Sequence, residues 1–273
     1  MRILFLGDVV GRAGRDAVAE HLPALRERLA PDFVVVNGEN AAGGYGITGE
    51  ICRNLYQQGA DVVTLGNHAW DQRETLGYID GDDKLIRPAN YPAGTPGRGA
   101  NVYQLADGRR VLVLQLMCRL FMDPLDDPFA AFETIMASYR LGAGTGLAAA
   151  VLDIHGEATS EKQALARLAD GRVSMALGTH THVPTADHVV LPGGTAYMTD
   201  VGMCGAYNSV IGMDPAVAIE RFVRKVPTAR LQPVMDVGTV CGAFVETDDA
   251  TGLATRIEPV RVGGDLEPAL PDV

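Results

Sequence analysis

Short runs of aliphatic and β-branched residues recur along the chain, and several of them stop beside a glycine and a residue able to ligate a metal or carry a proton. Residues 3–6 and 33–36 read as strands. Between them Val18, Leu22, Leu25 and Leu29 mark one helical face, so the chain opens β-α-β. Residues 48–58 read as a second helix ended by Gly59, and residues 61–65 as a third strand. A helix follows that Asp71 would cap, with Glu74 three residues on. Asp107-Gly108, between strands at 101–105 and 110–116, predicts a hairpin and therefore antiparallel pairing as well. A loop at 118–128 leads into a helix to about Tyr139, a strand at 148–154, a helix at 161–168 behind Ser160 and a strand at 173–177. A helix from Pro215 with Asp214 at its N-cap precedes a closing hairpin of 239–247 and 253–262. With no repeat and no linker long enough to divide 273 residues, the expectation is one α/β domain over 1–273, of mixed sheets covered by helices.

The strand ends carry the chemistry. Asp8 follows the first strand, Glu39 and Asn40 the second, and Asn67 and His68 the third. His155 follows the strand at 148–154, and His180 and His182 the strand at 173–177. Gly7, Gly38, Gly66, Gly156 and Gly178 accompany them, residues that permit close backbone approach. In open α/β sheets, sites form beyond the carboxyl ends of the strands, so these side chains are expected to converge. His180-Thr181-His182, if extended, would point both imidazoles to one side and Thr181 to the other. Three imidazoles, two carboxylates and two amide oxygens suit two metal ions with positions left for water. Each residue alone has an ordinary structural reading as a helix cap, a turn former or a hydrogen-bonded core histidine.

Charge narrows the substrate. Lys plus Arg number 23 against 34 for Asp plus Glu, a net charge of −11, which argues against an extended nucleic-acid surface but leaves room for one small phosphate. The first apolar run is too short for a signal-peptide core and is stopped by Asp8, and no run approaches the ~20 residues of a membrane span. Cys52, Cys118, Cys204 and Cys241 form no CxxC pair and read as reduced thiols. The expectation is a cytoplasmic protein without a membrane partner.

Gly66-Asn67-His68, His155 and Gly178-Thr179-His180-Thr181-His182 resemble the calcineurin-like metallophosphoesterases. Gly7-Asp8-Val9-Val10-Gly11, Asn37-Gly38-Glu39-Asn40-Ala41, the segment His155-Gly156-Glu157-Ala158-Thr159-Ser160-Glu161-Lys162, Thr199-Asp200-Val201-Gly202-Met203 and Gly212-Met213-Asp214 look like the smaller bacterial branch known as cyclic-nucleotide phosphodiesterases, the 2′,3′-cyclic-nucleotide 2′-phosphodiesterases among them. The likeness covers nearly the whole chain and weakens past about Val226. It departs from the wider superfamily at Asp8-Val9-Val10, which lacks the usual Asp-x-His, and at Glu39, which stands where a bridging Asp is usual.

The resemblance implies an α/β/β/α sandwich of two mixed β-sheets flanked by helices. It implies one metal on Asp8, Glu39, Asn40 and His182 and another on Glu39, Asn67, His155 and His180, with Glu39 bridging. Iron or manganese suits these ligands best and zinc is admissible. The implied reaction is hydrolysis of a small phosphodiester, 2′,3′- or 3′,5′-cyclic nucleotides above all, by attack of a metal-bridged hydroxide. His68 is expected to face the substrate and act as general acid, because consecutive side chains diverge. No substrate-binding residue is assigned, and a homo-oligomer stays open. Asp153 and Glu157, beside His155, are candidates for holding its ring, with capping or exposure the equal alternative. Trp70 could border a base, although a structural role is the default, and Asp123, Asp126 and Asp127 read as a solvated loop.

Other functions compete. Gly7, Gly11 and Gly14 after a first strand suggest a dinucleotide-binding oxidoreductase, but G-x-G-x-x-G is absent, as is the P-loop motif, and three histidines go unexplained. A phosphomonoesterase and a nucleotide sensor with little turnover remain open; measured turnover and metal content separate them.

Overall fold

The structure is a computed structural model that describes residues 1–144, 146–226 and 229–273. Its first sheet is built on β1 (Arg2–Leu6), β3 (Phe33–Asn37), β4 (Val62–Thr64) and β5 (Leu85–Ile86), all parallel, with β13 (Val240–Thr247) antiparallel beside β1 and β14 (Ala254–Val262) antiparallel beside β13 at the edge. The second holds β7 (Arg110–Met117), β8 (Ala149–His155), β9 (Met175–Thr179) and β11 (Ala196–Met198) in parallel. β6 (Ala100–Gln104) and β10 (Val189–Val190) close its edges antiparallel. A two-stranded parallel ribbon pairs β2 (Asp8–Val9) with β12 (Met203–Cys204).

Strand alternation explains the layers. In β1, Ile3 and Phe5 join Val35, Val113, Val151 and Leu177 in the core between the sheets. Leu4 and Leu6 point the other way, onto Val18, Leu22, Leu25 and Leu29 of α1 (Gly11–Leu29) and Leu55 of α2 (Gly49–Gln58). On the far face, Leu112, Leu114, Leu152 and Ile154 meet Phe132 of α4 (Pro128–Met136) and Leu165 of α5 (Thr159–Ala169). The result is the α/β/β/α sandwich that the resemblance implied. The inner strands of each sheet are buried on both faces, so they read as near-continuous apolar runs. Truncating a side chain such as Phe5, 0% exposed, would cost about 3–5 kcal/mol.

Several local expectations hold. Gly59 ends α2 in the left-handed region, Asp107-Gly108 turns β6 into β7, and Asp214 caps α6 (Pro215–Arg224), while Thr48, at the start of the expected helix, is its N-cap. Two do not. The helix after β4 is only α3 (Thr75–Tyr78), with Glu74 rather than Asp71 before it, because Asp71 is engaged by His68 and Glu74 accepts from the Gly49 N–H. Ser160 lies inside α5, whose N-cap is Ala158. All four cysteines are buried and unbridged, and no described helix is long and apolar enough to cross a membrane.

Candidate active site

The parallel strands of both sheets deliver their carboxyl ends to one place. Gly7 and Gly178 let this happen: a Cβ on Gly7 would strike the Gly202 carbonyl, and one on Gly178 the Thr199 carbonyl. Asp8 is fully buried. Its Oδ2 accepts from the His180 N–H at 3.2 Å, while Oδ1 has no hydrogen-bond partner among the described residues. Glu39, in the turn after β3, accepts the His68 N–H on Oε2 at 3.2 Å. Its Oε1 is likewise without a hydrogen bond, 3.2 Å from His155 Nε2. Gly66 runs directly beneath, where a Cβ would collide with Glu39 Oε2 and His155 Nε2.

Two groups of side chains share Glu39. Glu39, His155 and His180 form one; Asp8, Glu39 and His182 form the other, with candidate ligand atoms in each group within 4.8 Å of one another. Asn67 Oδ1 joins the first at 2.9 Å from His155 Nε2, and Asn40 Oδ1 the second at 3.2 Å from His182 Nε2. All seven residues read from the sequence as ligands are therefore together. Buried carboxylate oxygens without donors carry a large desolvation cost, and facing imidazole nitrogens and amide oxygens complete the donor set a divalent cation takes. The residues fit a pair of such ions.

The imidazoles are held from behind. The Ile211 carbonyl, 2.8 Å away, accepts from His182 Nδ1, which leaves Nε2 with its lone pair toward the site. His155 Nδ1 lies 2.9 Å from Thr179 Oγ1, which donates to Asp153 Oδ1 at 2.7 Å. Asp153 Oδ2 also accepts from Thr64 Oγ1, Gln115 Nε2 and Asn37 Nδ2, so one buried carboxylate ties both sheets together beneath the site.

Charge is distributed unevenly. Burial pushes Asp8 up to about 6, against the pull of His182 and His155. Burial would raise Glu39 too, but His155, then His68 and His180, override it and hold it at about 2. Burial disfavours a charged His155, yet Glu39, Asp8 and Asp153 outweigh that and lift it to about 9. Burial, with His155 beside it, drives His180 down to about 3.

The segment His180-Thr181-His182 is not extended. His180 has φ 96° and His182 φ 67°, both in the left-handed region, and this curl sends the two imidazoles into different groups instead of to one side. For residues with a Cβ such backbone costs about 1–3 kcal/mol each. A buried ion pair holds it: Lys162 Nζ donates to the Thr179 carbonyl at 2.6 Å and to Asp200 Oδ2 at 2.9 Å, and Asp200 accepts the N–H groups of Thr181 and Gly202. Lys162, Asp200, Thr179 and Asn37 stand in the motifs quoted from the sequence but were assigned no role there, and Thr64 and Gln115 were missed. Asp153, two positions before His155 on a strand and so on the same face, was the residue whose supporting role the sequence suggested.

His68 lies at the rim, its side chain 27% exposed, with Nδ1 2.8 Å from Asp71 Oδ2. Glu157 is more exposed and reaches His180 Nε2 at 3.2 Å. Trp70 packs against the first helical core and meets Tyr91 edge-on, the structural reading. Asp127 caps α4, and His188 is exposed.

Comparison with known proteins places these features. A family described as YmdB-like protein matches residues 4–260. A Bacillus subtilis protein named 2′,3′-cyclic-nucleotide 2′-phosphodiesterase is 46% identical over 265 residues, 97% of this chain and 98% of that protein. The crystal structure of a hypothetical protein from Thermus thermophilus superposes with a TM-score of 0.89 at 41% identity, covering 97% of this chain and 100% of that one. A Mycoplasma pneumoniae protein described as a novel phosphatase superposes with a TM-score of 0.88 at 31% identity, over 97% and 94% of the two chains.

Proposed function

The chain belongs to the YmdB-like family, and from that premise we propose that it is a metal-dependent phosphoric diester hydrolase acting on 2′,3′- or 3′,5′-cyclic nucleotides. The observation that carries the proposal is the pair of buried carboxylate oxygens, Asp8 Oδ1 and Glu39 Oε1, that accept no hydrogen bond among the described residues and face imidazoles and an amide. Asp8, Glu39, Asn40 and His182 would hold one metal, and Glu39, Asn67, His155 and His180 the other, with iron or manganese best suited and zinc also compatible. When bound, such a pair supplies charge neutralisation for the phosphate and a nucleophilic water at neutral pH.

The protein's own residues supply the rest. His68 stands next to Asn67 in sequence and reaches the rim of the site. Its Nδ1 is occupied by Asp71, which leaves Nε2 to present a proton to the leaving ribose oxygen. His68 also fixes Glu39 through its backbone N–H. Residues 1–273 work as one domain in this reading, because the first sheet brings Glu39 and Asn67 while the second brings His155 and His180. Four buried thiols without a bridge suit a reducing cytoplasm.

The test is metal analysis of the purified protein, then a panel of cyclic nucleotides against mononucleotides with the manganese-loaded enzyme. Bound metal and metal-stimulated diester hydrolysis are expected; neither appearing would refute the proposal. Preference for the mononucleotides would support a phosphomonoesterase, the reading the Mycoplasma pneumoniae neighbour favours. Metal with tight nucleotide binding and no turnover would mark a sensor. His68→Ala should cost roughly 10²–10⁴-fold with a ribose leaving group and far less with a nitrophenyl one. Equal losses would remove His68 as the acid.

A further inference from the structure

We infer that Tyr45 and Arg230 form the nucleobase-contacting wall of the site, an inference that rests on the phosphodiesterase reading. A general acid must lie within hydrogen-bond reach of the leaving oxygen. In a nucleoside cyclic phosphate that oxygen belongs to the ribose, so the nucleoside sits on the His68 side of the phosphorus. The structure has an aromatic and cationic stack there. The Tyr45 ring meets the His68 ring edge-on at 5.3 Å between centroids, and the Arg230 guanidinium lies 4.6 Å over the Tyr45 ring.

Both members are fixed by their surroundings. Gln72, from the segment that carries His68, donates to the Tyr45 carbonyl at 2.6 Å. Arg230 is placed by the residues after it: Leu231 packs on Val10, Met203 and Met213, the Gln232 carbonyl accepts the Asp214 N–H, and Val234 donates to the Gly212 carbonyl. Arg230 is exposed and has no carboxylate partner among the described residues, which is notable in a chain of net charge −11. A guanidinium backed by tyrosine and free of an acid stacks on the π-face of any base, and such stacking is tolerant of base identity. The ligand class is the base of the leaving nucleoside, purine or pyrimidine alike.

The test compares adenosine and uridine 2′,3′-cyclic phosphates with 1-O-methylribose 2,3-cyclic phosphate, the same ester without a base, in the wild type, Arg230→Ala and Arg230→Lys. Arg230→Ala should lower kcat/KM about tenfold or more for both nucleotides, through KM, and leave the base-free ester within about twofold. Arg230→Lys, a point charge without a planar face, should stay impaired. Equal losses on all three esters, no loss on any, or full rescue by lysine would overturn the inference. If the wild type hydrolyses none of them the phosphodiesterase reading itself fails, and calorimetric titration decides the wall separately. Arg230→Ala must then weaken AMP binding and not ribose 5-phosphate binding; equal effects overturn it.

Discussion

Replacing Lys162 by Met removes an ammonium group while keeping most of the stem that fills its pocket. Lys162 and Asp200 are both 0% exposed in their side chains, so the substitution strands a carboxylate in the interior. Breaking a buried pair from one side costs about 3–5 kcal/mol, since the remaining charge keeps its desolvation penalty and loses its counter-ion. The N–H groups of Thr181 and Gly202 still reach Asp200 and place the expectation at the lower end of that range. Lys162→Met/Asp200→Asn removes both charges and should recover at least half of the loss. Urea unfolding of the four proteins of the cycle measures the coupling. The pair also carries the left-handed backbone at His180 and His182, so Lys162→Met should lose metal content and, at protein concentrations where it stays folded, about a hundredfold in kcat. A variant within about 1 kcal/mol of the wild type, with full metal content, would refute the reasoning. So would a double variant no more stable than Lys162→Met.

Metal added to chelator-treated protein at a hundredfold excess over Kd should stabilise it by about 2.7 kcal/mol, on the order of 5–10 °C in Tm; an unchanged melting curve would count against the ligand assignment. Gly66→Ala puts a methyl against Glu39 and His155 and should strip metal from the His155–His180 group first, read by elemental analysis. Asp71→Asn leaves His68 in place but weakens the partner of its Nδ1, so turnover should fall at least several-fold for cyclic nucleotides and little for nitrophenyl esters. At the far end of the sheets, burial would raise Asp32, but Arg109 and the Arg2 N–H override it and hold it below its usual value. Its contribution is present above the unfolded pKa of about 3.9 and is lost as pH falls through its lower folded value. Asp32→Asn should therefore flatten the acid limb of stability without changing turnover, and parallel acid limbs in urea titrations would contradict this.

The layers were legible because the inner strands are covered on both faces and are therefore mostly apolar, as at residues 33–36 and 62–63. The candidate ligands were legible because residue type at a strand end carries chemical information. Asp71 misled because an Asp with a Glu three residues on is a capping pattern by sequence alone. Only the fold shows that the chain after Gly66 turns tightly enough to bring Asp71 back to His68.

The curl at His180-Thr181-His182 was illegible for a different reason. Positive φ is uncommon for any residue with a Cβ, histidine included, so local preference argues for extended backbone, and the conformation is imposed from outside by groups distant in sequence. Lys162 pulls on the Thr179 carbonyl and Asp200 on the Thr181 N–H, bracketing His180, while Ile211 turns the ring of His182. A chain that spends a buried ion pair on three backbone atoms gains little net stability from it, because the pair roughly balances its own desolvation. The gain is placement: two imidazoles only two residues apart reach two different centres, which an unstrained strand could not achieve.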